Sequence, residues 1–200
     1  MNYLISFVRT VKTYLLRAFD LKEEELTKTL LLQLNIFLII TVLLIVKPTI
    51  NSLFLSELSS EALPLGYVLT AIMAVVGSFF YDRALEKYPL NIIVDRTLLG
   101  SVISLVIFGV ALNFNLGYGL ALYIPYIWVA IFGLLTASQF WVMANLVYNV
   151  REAKRVFGFI GAGAIAGGIF GGYLTSLLTN ILYTEDLLFV AAVLLMCCLP

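Results

Sequence analysis

The sequence predicts an all-α membrane protein built as a six-transmembrane-helix bundle. Of its 200 residues, 62% are hydrophobic and 12% are charged, whereas a soluble domain is about half apolar and a quarter charged. The apolar residues gather into long stretches, and most charged residues lie between them. A chain of this composition has too little polar surface to cover a soluble core, so we expect it to lie in a lipid bilayer.

Five of the apolar stretches are long enough for the roughly 20 residues that cross a bilayer core. A sixth stretch is only about 14 residues long, which is short for a span. We place the spans at about 28–55, 63–81, 90–113, 118–147, 156–178 and 186–200. Because the sixth stops at Pro200, we expect the sequence to be a piece of a longer protein.

The region before the first span, 1–28, is predicted to be a cytoplasmic amphipathic helix followed by a charged linker. Apolar residues between Met1 and Asp20 recur at helical spacing, and basic residues populate the opposite face. Two positions are open to this helix: the membrane interface, or the cytoplasmic side of the bundle. The linker, 22–28, contains three consecutive glutamates.

The basic residues alternate strictly among the connecting segments. Eleven of the 12 Lys and Arg residues lie in the N-terminal segment or in the connections after the second and fourth spans, and the other connections contain none. Cytoplasmic loops carry the excess of Lys and Arg, so the pattern predicts a cytoplasmic N-terminus. We expect an integral membrane protein of the bacterial inner membrane.

The fifth predicted span carries glycines at every fourth position. Two parallel rows of small residues result, and residues four apart stack on one face of a helix. In water such a helix is weak, because each interior Gly costs about 1 kcal/mol relative to Ala. In a bilayer, small residues let two helices approach closely. We therefore predict that this helix packs tightly against a neighbour and acts in gating through Gly163, Gly167, Gly168, Gly171 and Gly172.

Lys47 is the twelfth basic residue, and it lies inside the first predicted span. A lysine in a membrane helix faces a bundle interior or an aqueous cavity by default. Pro48 removes a backbone donor and is expected to disturb the helix, which frees a carbonyl for a ligand or a neighbour. With Asn51 one turn further on, this arrangement would suit an anionic substrate. Alternatively, Lys47 extends its long side chain to the external headgroups.

Further polar and aromatic residues are candidates for gating or substrate contact. The charged flanks of two cytoplasmic connections could form an ion-pair network that opens and closes with conformation, or could act only in setting the topology. Their members are Asp82, Arg83, Asp95, Arg96, Arg151, Glu152, Lys154 and Arg155. On the fourth span, aromatic residues including Tyr126 could stack a nucleobase or belong to the interfacial belt or the core. Gln139 and Asn145 are candidates for bonds between helices.

The residues that the sequence lacks exclude several kinds of site. It contains no His, which removes the commonest general base and metal ligand. The two cysteines, Cys197 and Cys198, are adjacent and do not form an ordinary disulfide framework. We expect neither an enzyme nor a metal site, and no cofactor. The expected partners are the lipid bilayer and a small anionic solute, not nucleic acid.

The number of helices and two segments resemble the major facilitator superfamily of transporters. Segment 163–172, GAIAGGIFGG, resembles the antiporter motif of that superfamily, with Gly168 where the motif has proline. Segment 78–87, SFFYDRALEK, loosely resembles its loop motif between the second and third spans, with Leu85 where glycine is expected. The resemblance implies the N-terminal half of a facilitator-type transporter, to which a second six-helix half is the partner.

A closer resemblance is to the nucleotide transporter family, the ATP/ADP translocases. Segment 140–155 contains FW, AN and EAKR at that family's spacing, ahead of the glycine-rich helix, and Lys47 falls where the family carries a functional lysine. Val129 stands where the family has a fourth-span glutamate, and 44–46 is apolar where the family is charged. The resemblance implies exchange of ATP and ADP, with Lys47, Asn51, Tyr126 and Asn145 as candidate substrate-binding residues.

We therefore predict a secondary transporter that works by alternating access and exchanges nucleotides such as ATP and ADP. One alternative is a facilitator-type transporter of another anionic or drug-like solute. A second alternative, from a different class, is a non-transporting membrane scaffold or sensor with a downstream soluble domain.

Overall fold

The computed structural model describes residues 23–114, 116 and 119–198. The amphipathic helix predicted within 1–20 therefore lies outside the described residues. Helix accounts for 92% of the described part of the chain, which contains no strand. The predicted all-α class is confirmed.

Six α-helices follow one another along the described residues. Five of them are long and apolar enough to cross a membrane, whereas α6 has only 10 residues. Short 3-10 helices precede α2, α4 and α6, at Ser60–Ala62, Gly119–Leu122 and Thr184–Asp186. The α-helices are α1 (Glu23–Leu58), α2 (Leu63–Lys87), α3 (Leu90–Asn113), α4 (Tyr123–Val147), α5 (Val150–Leu178) and α6 (Leu187–Met196).

The boundaries of several helices differ from the prediction, and α4 begins at Tyr123 instead of 118. Helix α1 begins at Glu23, so the described part of the predicted linker is helical. Helix α2 continues past Tyr81 to Lys87. Helix α5 begins at Val150 rather than Val156, which makes the charged run its first turns instead of a loop. Helix α3 has the predicted bounds.

A capping box explains the early start of α5. The Asn149 side chain accepts hydrogen bonds from the backbone N–H groups of Arg151 and Glu152, and the Glu152 carboxylate accepts one from Asn149 N–H. These bonds satisfy donors that have no partner within the helix. The negative charge of Glu152 also lies at the positive end of the helix dipole.

Pro48 does not break α1, contrary to the expected disturbance at that level. The helix continues as α-helix from Glu23 to Leu58 with Pro48 inside it. A proline costs a helix one hydrogen bond and some strain. Its neighbours Ile45, Val46 and Ile50 are buried almost completely. Packing on both sides of Pro48 therefore holds the helix together.

Helix α1 lies at the centre of the bundle and packs against α4, α5 and α6. Its most extensive contact is with α5. Helix α2 packs on α4, and α3 packs on α6 and, less extensively, on α4. The largest apolar cluster surrounds Phe54 and joins α1, α3, α4 and α6. A smaller cluster, which contains Phe140 and Ile160, joins α1, α4 and α5 towards the other end of the bundle.

Candidate functional site

Three glycines of α5 lie directly against the backbone of α1. A Cβ atom on Gly163 would lie 2.8 Å from the carbonyl oxygen of Gln33, and one on Gly171 would lie 2.8 Å from that of Thr41. Gly167 meets the carbonyl oxygen of Phe37 between them. The contacts advance in the same direction along both helices, so α1 and α5 run parallel. This surface, formed by Gly163, Gly167 and Gly171 against Gln33–Leu44, is called the α1–α5 seam below.

The second row of small residues on α5 is not used in the same way. A Cβ atom on Gly168 would have only Ile40 Cγ2 nearby, at 3.8 Å, and one on Gly172 would have no atom within 4 Å. Only the row formed by Gly163, Gly167 and Gly171 therefore packs tightly against α1. Gly172, in the second row, is exposed.

Polar side chains cross the seam at three levels. The Gln33 amide donates to the carbonyl of Phe159 at 3.2 Å, and the Thr41 hydroxyl donates to the carbonyl of Gly167 at 3.2 Å. Further along, the Thr175 hydroxyl lies 3.2 Å from the carbonyl oxygen of Leu44. Hydrogen bonds between membrane helices contribute modestly, about 0.6 kcal/mol each on average, so close backbone packing contributes more to the stability of the seam.

The bond from Thr175 to Leu44 follows from Pro48. In an α-helix the carbonyl of Leu44 accepts the N–H of residue 48, and proline has none. The Thr175 hydroxyl of α5 is a hydrogen-bond donor to this free carbonyl of α1. The same hydroxyl also donates to the carbonyl of Gly171 in its own helix. The predicted consequence of Pro48 is thus observed, with a neighbouring helix as the partner.

A double-mutant cycle tests this coupling. We expect Thr175→Val to lower the free energy of unfolding by about 1 kcal/mol, because it leaves the Leu44 carbonyl without a partner in an apolar setting. In a Pro48→Ala background the restored backbone N–H at position 48 satisfies that carbonyl, so the same Thr175 change should cost much less. Unfolding in mixed detergent micelles provides the measurement. An equal cost in both backgrounds would show that Pro48 and Thr175 are independent.

At the predicted cytoplasmic end, the seam is closed by polar contacts. An ion pair joins Arg155 to Glu25 at 3.4 Å, with both side chains partly buried. The hydroxyls of Tyr148 and Thr29 lie 2.9 Å apart. Burial raises the pKa of the Tyr148 hydroxyl, the hydrogen bond with Thr29 lowers it by a smaller amount, and the carboxylates of Glu25 and Glu152 raise it further.

The other charged residues predicted to form a gate are not paired. Asp95 is half-buried, and the exposed members are Asp82, Arg83, Arg96, Arg151 and Lys154; none of these six makes an ion pair with the described residues. The Arg83 guanidinium instead lies 5.2 Å from the centre of the Phe79 ring, within the range of a cation–π contact. The structure therefore brings Arg155, Glu152 and Glu25 to the α1–α5 end, and leaves the α2–α3 charges apart from them.

The four candidate substrate residues do not form one site in this chain. Lys47 is exposed, and Asn51 is half-buried one turn further along α1. Tyr126 is buried, with its ring 4.4 Å from that of Phe54. Asn145 is exposed and donates to the carbonyl of its own helix at Trp141, at 2.8 Å. Tyr126 and Asn145 lie about 28 Å apart along α4, so one small solute cannot contact both.

The geometry gives Lys47 and Tyr126 different environments. Lys47 follows Leu44 by one turn, just beyond the last level of the seam, and makes no ion pair with the described residues. The Tyr126 ring packs on Phe54, and a Cβ atom on Gly66 would touch it at 3.0 Å. Lys47 thus lies on the exposed surface of the described bundle and not in its interior, whereas Tyr126 is part of the core.

A polar layer between α1, α3 and α4 is the feature that sequence reasoning largely missed. The Gln139 amide of α4 donates to the Thr97 hydroxyl of α3 at 3.0 Å. The prediction that Gln139 forms a hydrogen bond between helices is confirmed. Beside it, Asn35 and Thr136 line a void of about 10 Å³, close to the size of one water molecule. The signal in the sequence was the set of uncharged polar residues within predicted spans.

Comparison of the chain with models of known protein families, with curated proteins and with solved structures gives no match.

Proposed function

We propose that this chain is the N-terminal half of a secondary transporter that works by alternating access. The observation that carries the proposal is the pattern of helix pairing. Helices α1–α3 and α4–α6 can be compared as two repeats, in which α1 corresponds to α4, α2 to α5 and α3 to α6. The α1–α5 pair is then equivalent to the α4–α2 pair, and the α3–α6 and α1–α4 pairs are each equivalent to themselves. All of these pairs are in contact, as are the equivalent α1–α6 and α4–α3 pairs.

This pattern is the one expected of two three-helix repeats with inverted topology. Consecutive membrane helices alternate in direction, so α1 and α4, three helices apart, run in opposite directions. Transporters of the facilitator type contain such inverted three-helix repeats within each six-helix half. In these proteins the two halves rock about a site near the middle of the membrane.

The exposed faces of α2 and α5 leave room for a second half. In the most apolar 18-residue stretch of the α2 region, only 6% of the residues are buried within this chain. On α5, the side opposite the seam exposes Ile165, Ile169 and Tyr173. The seam itself holds α1 and α5 together as one unit, which suits a half that moves as a rigid body.

As the solute, we propose an anionic nucleotide such as ATP or ADP, exchanged across the membrane. Support comes from the exposure of Lys47 beyond the seam, with Asn51 one turn away as a hydrogen-bond donor. A lysine within a membrane helix is a functional-site hypothesis by default, and a substrate path is one of the roles it indicates. The resemblance of segment 140–155 to nucleotide transporters supports the same choice.

One observation favours another anionic or drug-like solute as the second candidate. Val129, which stands at the position of the nucleotide transporters' glutamate, is buried in the apolar cluster around Phe54. The fourth helix therefore brings no carboxylate to that level.

Alternating access is tested by the labelling of Asn51→Cys. The background carries Cys197→Ser and Cys198→Ser, and a membrane-impermeant maleimide is added outside cells that contain the full natural chain. We expect saturating ADP to change the labelling rate severalfold, because the inward-facing state removes Asn51 from external solvent. Ser56→Cys, exposed near the end of α1, is the matched control and should label at a constant rate. A rate at Asn51 that no nucleotide or other solute changes would favour a non-transporting protein.

A further inference from the structure

A crevice separates α2 from α3 near the turn that connects them. Its volume is about 380 Å³, which falls within the range of small-molecule sites. One wall is the α2 face that includes Gly77, Phe80 and Ala84, the other is the α3 face that includes Ile92, and Leu135 of α4 contributes the floor. Direct contact between α2 and α3 is sparse, so the two helices leave this space open.

The crevice has the length of half a bilayer. Its α2 wall extends from Tyr88, at the end of the helix, to Gly77, which is about 16 Å along the helix axis. The hydrocarbon core of a bilayer is about 30 Å thick. A groove of this length matches one acyl chain of one leaflet.

The mouth of the crevice carries a positive charge. The Arg96 guanidinium lines the crevice and lies 5.3 Å from the centre of the Tyr88 ring, at the end of α2. This cation–π contact holds the guanidinium towards the end of α2. Arg96 makes no ion pair with the described residues. Guanidinium groups bind phosphate oxygens through two parallel hydrogen bonds.

We propose that this crevice binds an anionic phospholipid, with its phosphate on Arg96 and an acyl chain between α2 and α3. A phosphate monoester in solution shares the headgroup chemistry but has nothing to fill the apolar part of the crevice. The occupant is therefore a lipid of the leaflet at the α2–α3 end. This inference does not depend on the proposed function.

Two matched pairs of variants separate the headgroup from the acyl chain. Arg96→Ala removes the charge at the mouth, and Arg83→Ala removes an exposed arginine near the same end of α2 that does not line the crevice. Gly77→Leu fills the deep end, where an added Cβ has only an ordinary contact with Ile131 at 3.6 Å. Gly100→Leu makes the same change on α3, where nothing lies within 4 Å.

The measurement is native mass spectrometry of the full natural chain, titrated with dioleoyl phosphatidylglycerol or dioleoyl phosphatidylcholine. We expect Arg96→Ala to weaken binding of the anionic lipid about fivefold, as for one surface arginine, with little effect on the neutral lipid. Arg96→Lys should retain most of the preference for the anionic lipid, and Arg83→Ala should retain all of that preference. Gly77→Leu should weaken binding of both lipids, whereas Gly100→Leu should not.

Several results would overturn the proposal. Equal effects of Arg96→Ala and Arg83→Ala would place the phosphate elsewhere. Unchanged lipid binding by folded Gly77→Leu protein would place the acyl chain outside the crevice. Displacement of the lipid by an equal concentration of glycerol phosphate would show a site for a free anion. Failure of a lipid with a photoreactive acyl chain to label α2 or α3 would show that another occupant fills the crevice.

Discussion

Gly167→Ala is expected to lower the free energy of unfolding by about 2 kcal/mol, although it exchanges glycine for the better helix former. Alanine gains up to about 1 kcal/mol in helix propensity. Its Cβ atom, however, would collide with the carbonyl oxygen of Phe37 and lie 3.0 Å from Phe37 Cα. Backbone atoms in the middle of a long helix cannot move aside, so α1 and α5 must separate. Overpacking of this kind costs about 1–3 kcal/mol and sometimes more.

Gly172→Ala is the matched control for that experiment. It makes the same chemical change on the same helix, five positions along, where a Cβ atom has no neighbour within 4 Å. We expect the free energy of unfolding to be unchanged, or higher by up to about 1 kcal/mol. Both variants can be unfolded in mixed detergent micelles and followed by circular dichroism. Equal effects of the two substitutions would contradict the α1–α5 seam.

Lys47→Ala is expected to raise the KM for ADP by about tenfold to a hundredfold in reconstituted vesicles. A hydrogen bond to a charged group contributes about 1.5–3 kcal/mol, and 1.4 kcal/mol corresponds to a factor of ten. Lys47 is exposed and makes no ion pair with the described residues, so its loss should leave the bundle folded. Initial rates of ADP exchange over a range of concentrations give the value.

Two variants control for the position and the charge of Lys47. Lys87→Ala removes an exposed lysine from the end of α2 and should leave the KM unchanged. Lys47→Arg keeps the charge and should retain much of the affinity. If Lys47→Ala exchanges ADP with wild-type kinetics, then Lys47 only extends to the headgroups and is not on the solute path.

The composition and the length of the apolar stretches predicted the helical class and the bounds of α3, because lipid requires long apolar helices. The start of α5 was placed too late because the charged run was interpreted as a loop. Asn149 followed by Glu152 is a local signal for a helix start, and it was present in the sequence. The short α6, in contrast, agrees with the short sixth stretch.

The partner of each helix could not be predicted from the sequence. The two rows of small residues on α5 are nearly equivalent as patterns, and only the position of α1 decides that Gly167 is buried and Gly172 is open. Spacing places Lys47 and Asn51 on one face of α1. It does not show that Tyr126 is enclosed by Phe54 and Gly66, which are distant in the sequence.

Uptake of labelled ATP by proteoliposomes that contain the full natural chain is the decisive test of the proposed function. The vesicles are compared empty and preloaded with unlabelled ADP, with Lys47→Ala protein beside the wild type. We expect uptake that preloading stimulates and that the Lys47 substitution reduces. Folded wild-type protein that takes up no ATP under either condition would contradict nucleotide exchange.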